Sequence, residues 1–274
     1  MNLSINTSAT ATVSTTNPST TALKQSPPDP TTGPASASLT VAAVDPQKSQ
    51  QAVQSYLSAL FGTQAKLSAD SEAIANALVP SMQRLILQRP DLANAQFDFS
   101  SDNGAIKVTS NSLSESDRTW LQNTFNQNGS LVKAVNTFHD DAVAGYAQYA
   151  QLDGHSLSRA EMDAVSTRAD GMTHFMSLFK RLGAAAQPLL DGSGGTYVAQ
   201  NGAKLNLVQP STAVGFLSFM QSAKASSDGT ATLYMPKGQI VHGGLKGDVF
   251  ANMDAMPRLL PPSDSHSFGF HEVA

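Results

Sequence analysis

The segment Gly154-His155-Ser156-Leu157-Ser158 holds the most suggestive chemistry in the chain. It approaches the nucleophile-elbow pattern G-x-S-x-G, with Ser158 in place of the last glycine. An elbow works because an apolar strand throws the serine onto a strained turn before a helix. Here the preceding Tyr146-Ala147-Gln148-Tyr149-Ala150-Gln151 reads as helix. Ser158 and Glu161 also stand at capping-box spacing, which accounts for Ser158 without catalysis. The same segment offers Asp153-Gly154 and Glu161 as a calcium loop between two helices. In such a loop the closing Glu follows the glycine by six positions. Glu161 follows Gly154 by seven, and Tyr149 and Gln151 occupy the early ligand positions. The pattern fails twice, and a helix–turn–helix is expected.

His139-Asp140-Asp141 places three ligand-type side chains in one helical turn. Successive helical residues point about 100° apart, so the trio does not converge on one point. The expectation is a solvated Asp140 and Asp141, with His139 at the border of an apolar stripe. His174, four after Asp170, reads as a surface pair. Neither set has the H-E-x-x-H spacing of a zinc helix. Gly192-Ser193-Gly194-Gly195 precedes a strand rather than a helix N-terminus, so it lacks what a phosphate cradle needs. His242-Gly243-Gly244 has the look of an oxyanion-hole loop without a serine elbow to serve, and His266 and His271 lie further along. No catalytic, cofactor-binding or metal-ligating residue is assigned, and no cofactor is expected.

Those residues sit on elements that periodicity outlines. From Gly129 to Leu182 two amphipathic helices are expected, hinged at Asp153-Gly154. Leu131, Val135, Phe138, Ala142, Tyr146 and Tyr149 share one stripe, and Met162, Val165, Ala169, Met172, Met176, Phe179 and Leu182 another. The expected arrangement is an antiparallel helical hairpin at the centre of the core. Upstream, Asp45-Pro46 begins a helix ending at Gly62. A second runs from Ser68 to before Pro80, and a third from Ser81 to Arg89-Pro90. Phe97 and Phe99, then Ile106 and Val108, alternate around Asp102-Asn103-Gly104, a hairpin signal. Ser114 caps a helix bearing Trp120, Leu121 and Phe125. Beyond Pro188 and the glycine run, residues 197–208 read as a second hairpin turning at Asn201-Gly202. A helix follows from Pro210-Ser211, then a strand at 230–235 that turns at Pro236-Lys237-Gly238 into Ile240-Val241. The fold class is α+β, mainly α, with two small β-hairpins. Residues 45–190 form the main helical domain and 191–256 a small α+β subdomain packed on it.

Composition narrows the function classes. The chain has 274 residues, 41% hydrophobic, with a net charge of −4, enough for a sizeable core. No Lys/Arg cluster occurs, which argues against nucleic acid as a partner. The absence of cysteine removes disulfides, thiolate nucleophiles and Cys-based zinc sites. No apolar run reaches the ~20 residues of a membrane helix, and the N-terminus lacks the features of a Sec signal peptide.

Residues 1–44 are rich in Ser, Thr and Pro, with runs such as Thr7-Ser8-Ala9-Thr10-Ala11-Thr12. Only Lys24 and Asp29 are charged between Met1 and Val44, and a disordered tail is expected; residues 257–274 read as a second irregular tail. The Ser/Thr enrichment, aliphatic Leu3 and Ile5, and the lack of an acidic residue before Asp29 resemble the export signals of bacterial type III secretion substrates. That resemblance covers the tail only. It implies a secreted or surface-associated bacterial protein, an effector or appendage-associated factor, with the bacterial cytoplasm as the alternative location. The leading expectation is a non-enzymatic protein that meets a protein partner through a helical surface, including the Met-rich face of the 129–182 region. The alternative is a hydrolase assembled from dispersed residues around Ser156.

Overall fold

The computed structural model describes residues 46–258, apart from 193, 237, 243 and 244. Expectations for the tails at 1–44 and 259–274, the Asp45 cap, His266, His271 and the two glycines after His242 lie outside the described residues. Six α-helices and two small antiparallel sheets make up the fold, so it is α+β and mainly α.

α1 spans Pro46–Gln88 as one helix of 43 residues, where three short helices were expected. Gly62 and Pro80 are normally costly in a helix interior, about 1 and 3 kcal/mol respectively. Packing overrides both. Leu67, Ile74, Ala75, Leu78, Met82 and Leu85 are all buried, and that stripe continues only if the helix does. Pro80 also disturbs the turn before it. Asn128 stitches that turn by donating to the Ala77 carbonyl at 2.8 Å and to Ser81 Oγ at 2.9 Å.

β1 (Asp98–Asp102) and β2 (Ala105–Thr109) form the expected hairpin. Asn103 and Gly104 both take positive φ, 50° and 79°, as a two-residue turn matched to strand twist requires. α2 (Glu115–Asn126) starts at Ser114, whose hydroxyl accepts from the Asp117 N–H. It lies beside β2 and supplies what a third strand would. Asn126 accepts from the Ile106 N–H and donates to its carbonyl, both at 2.8 Å, while Gln122 accepts from the Val108 N–H. The edge of the two-stranded sheet is thereby closed against further pairing.

α3 (Gly129–Leu152) and α4 (Arg159–Ala169) meet at the Asp153-Gly154 turn. The second arm is not continuous to Leu182, however. It breaks after Asp170, with Gly171 at φ +70°, and resumes as α5 (Phe175–Asp191). α5 then passes through the alanine run and Pro188, where a break was expected. Alanine is the strongest helix former, and Pro188 leaves its unpaired carbonyl at exposed Ala184, within reach of water. The helix lying most extensively along α3 is α1. Their directions are opposed, since Tyr56 meets Tyr149 while Ala77 meets Asn128. Gly145 allows that close approach: a Cβ there would enter the Thr63 side chain.

The second sheet differs from the expected 197–208 hairpin. β3 (Thr196–Val198) pairs with β4 (Thr232–Tyr234), and β4 with β5 (Ile240–His242). The expected return strand makes only a bridge at Val198–Lys204. Its backbone leaves the ladder because the Asn206 and Leu207 N–H groups donate to Ser222 Oγ and Gln187 Oε1 instead. α6 (Ala213–Ser227), capped by Thr212, packs on α1. One continuous core joins the helices with β1 to β4, from Leu67 to Met256, while Ile240 and Val241 of β5 stay exposed. Within it, rings touch in sequence from Phe97 through Phe125, Phe99 and Phe175 to Phe138, and Phe179 contacts Phe216, Phe219 and Phe250.

Candidate functional site

Ser156 is exposed in the α3–α4 turn, preceded by helix rather than strand. Around it the polar groups already have partners. Ser158 N donates to Glu161 Oε2 at 2.7 Å, and Glu161 N donates to Ser158 Oγ, completing the capping box. The other Glu161 oxygen pairs with His155 Nε2 at 3.0 Å. Hydrogen bonds from Ser158 above all, then His155, hold the Glu161 carboxyl down at about 2. His155 is thus paired with Glu161, and Glu161 is engaged in the helix start, while a helix rather than a strand precedes Ser156, so the described residues show neither a serine elbow nor a calcium loop at this turn.

The His139-Asp140-Asp141 trio diverges into three environments. Asp140 is 80% exposed and touches only the Nδ1 side of His139. His139, 14% exposed, turns its Nε2 to the Ser166 carbonyl at 3.1 Å and stands 3.6 Å from Asp170 Oδ1. A carbonyl only accepts, so Nε2 carries the hydrogen and cannot take a proton from Ser166 Oγ, 3.5 Å away. Asp141 points the other way and faces Lys66 at 3.6 Å. Asp170 does not pair with His174. It accepts from Ser101 Oγ at 3.0 Å and Asn103 N at 3.1 Å, and so clasps the β1–β2 hairpin. Among the described residues no three His, Asp or Glu side chains gather as metal ligands.

Two acidic residues that spacing did not single out have larger roles. Asp98 in β1 caps α5 from outside: it accepts from Met176 N at 2.9 Å and from Ser177 N and Oγ at 3.1 and 2.6 Å. His174 occupies the cap position of that helix without bonding it. Asp70 in α1 lies near Asp141 in α3. Burial first, then the charge of Asp141, raises Asp70 to about 6. Its Oδ2 is buried with no hydrogen-bond partner among the described residues. Neither role has a local signature, because each partner lies on another element.

Among the described residues, two apolar surfaces involve α1. On the first half of α1, Val53, Leu57 and Phe61 repeat at steps of four and are 55%, 42% and 57% exposed. On its second half, α1 and α6 flank a groove of about 480 Å³. Val79, Leu217, Met220 and Phe250 provide its apolar surface, while Glu72, Lys224, Asp228 and Asp248 bring charge to it. The chain matches no family model, no curated protein and no solved structure. No helix among the described residues is long and apolar enough to cross a membrane.

Proposed function

We propose that this chain is a non-enzymatic bacterial protein, exported by a type III route, that works by contact with a protein partner. The observation that carries the partner-binding part is the Val53–Leu57–Phe61 row on α1. A helix whose apolar stripe is buried along its second half and left in water along its first is built for contact beyond its own core. Export is supported by the tail alone, through its Ser/Thr enrichment and its lack of acidic residues before Asp29. Nucleic acid is not the intended partner, since Lys and Arg together number 17 against 21 Asp and Glu, with no basic cluster.

A fusion of residues 1–45 to a reporter tests the export half. Secretion is expected from cells with a working type III apparatus and not from an isogenic strain lacking it. Equal secretion by both strains would remove the proposal.

A further inference from the structure

We propose that the groove between α1 and α6 is a docking site for an amphipathic helix of a partner protein, one with basic residues flanking its apolar stripe. The inference rests on the partner-binding reading above and specifies its surface and chemistry.

Both long walls of the groove are helical and present side chains at helical repeat. On α1 the lining residues are Glu72, Asn76, Val79 and Gln83, at steps of four, three and four. On α6, Leu217, Met220, Gln221, Lys224 and Asp228 follow the same repeat. Two such walls leave between them the seam into which a third helix packs its ridge. From Glu72 to Gln83 the α1 wall is about 16 Å long at the rise of an α-helix, which matches three turns of an incoming helix. A volume of about 480 Å³ has room for several apolar side chains from one stripe. Val79, Leu217 and Met220 are half-buried with no apolar cover on the groove side, while Phe250 is buried and forms the base.

The charge of the rim selects the partner. Glu72, Asp228 and Asp248 supply three carboxylates against the single ammonium of Lys224. Lys224 is already matched to Asp228 at 2.7 Å. The imbalance therefore falls on Glu72 and Asp248, and Glu72 has no ion pair or side-chain hydrogen bond among the described residues. Among the described residues the Asp248 carboxylate accepts only from the Phe250 N–H. An anionic rim over an apolar floor favours a helix with Lys or Arg beside its apolar stripe and repels one with Glu or Asp there. Asn76, Gln83 and Gln221 add amide donors and acceptors along the rim.

The test uses the full chain and two fluorescein-labelled designed 18-residue helices. They share a leucine stripe and differ only in carrying Lys or Glu at the flanking positions. Fluorescence polarisation should give saturable binding of the Lys helix, at least tenfold tighter than the Glu helix and weakened by added salt. In a spectrum of methyl-labelled methionines, the Met220 resonance should shift on titration. Met220→Glu should abolish binding, and Glu72→Lys, at an exposed position that leaves folding intact, should weaken the Lys helix at least threefold. Equal affinity for the two helices would overturn the proposal, as would binding untouched by Glu72→Lys. So would a marked gain in affinity on deleting 1–44 or 259–274, which would mean that the chain's own segment occupies the groove. Loss of export in the reporter assay leaves this outcome unaffected, so the two proposals fail separately.

Discussion

Asp70 on α1 and Asp141 on α3 face each other across the main helix–helix contact of the fold, with Lys66 beside Asp141. The charge of Asp141 opposes ionisation of the Asp70 carboxyl. Burial and the charge of Asp141 raise Asp70 to about 6 from its ordinary 3.8. The folded chain then binds more protons than the unfolded chain between those values. The stability contributed by the pair is complete below about 3.8 and lost as pH rises through about 6. Because the pair is only half withdrawn from water, about 1 kcal/mol is the appropriate scale. Asp70→Asn should raise the melting temperature at pH 7.5 by about 2–4 °C and flatten its dependence between pH 4 and 7. Thermal melts across that range check it; an Asn variant less stable than the parent at pH 7.5 contradicts it.

The capping of α5 by Asp98 predicts a long-range effect of a strand residue on a helix. Asp98→Ala leaves the N–H groups of Met176 and Ser177 without their acceptor. The expected cost is about 1–2 kcal/mol, read by denaturant unfolding. Hydrogen exchange should quicken first at Met176 and Ser177. A loss confined to the β1–β2 hairpin would count against the cap.

Gly183 gives a prediction whose sign is the test. In a helix interior Gly→Ala ordinarily stabilises by about 1 kcal/mol. Here a Cβ at Gly183 would collide with the backbone carbonyl of Leu207, which cannot swing aside as a side chain end could. Gly183→Ala should therefore destabilise by about 1–3 kcal/mol. Gly62, with nothing within 4 Å of an added Cβ, is the control: Gly62→Ala should stabilise.

Much of this organisation was legible from local pattern. The Asn103-Gly104 hairpin, the Ser114 and Ser158 caps and the antiparallel pairing of β4 with β5 each depend on residues within a few positions of one another, and each is present; the helix expected from Pro210-Ser211 is present too but begins later, at Ala213. What local pattern misjudged was decided by distant partners. Pro80 reads as a helix stop, but Asn128, 48 residues on, secures that turn while the buried stripe carries α1 through it. The Met162–Leu182 stripe reads as one helix, but Asp170 and the Gly171 N–H are drawn to the β1–β2 hairpin at Ser101, and the helix opens there. The 204–208 segment reads as a strand, but side chains of α5 and α6 take the N–H groups of Asn206 and Leu207, and the pairing with β3 stops after Leu205. The groove could not be read at all, because its walls, α1 and α6, lie more than a hundred residues apart in the chain. The Val53, Leu57 and Phe61 positions read as an apolar face, yet sequence alone counts an apolar residue as core and cannot say where along a helix the stripe runs out of the core into water.

The central claim is that the chain recognises rather than catalyses, and the serine at the α3–α4 turn is where that claim is most exposed. Incubation of the full chain with a broad serine-reactive fluorophosphonate, followed by intact-mass measurement, tests it directly. Among the described residues no base is hydrogen-bonded to Ser156, and His155 Nε2 is held by Glu161, so no adduct is predicted. A stoichiometric adduct lost in Ser156→Ala would contradict the account and make the chain a hydrolase.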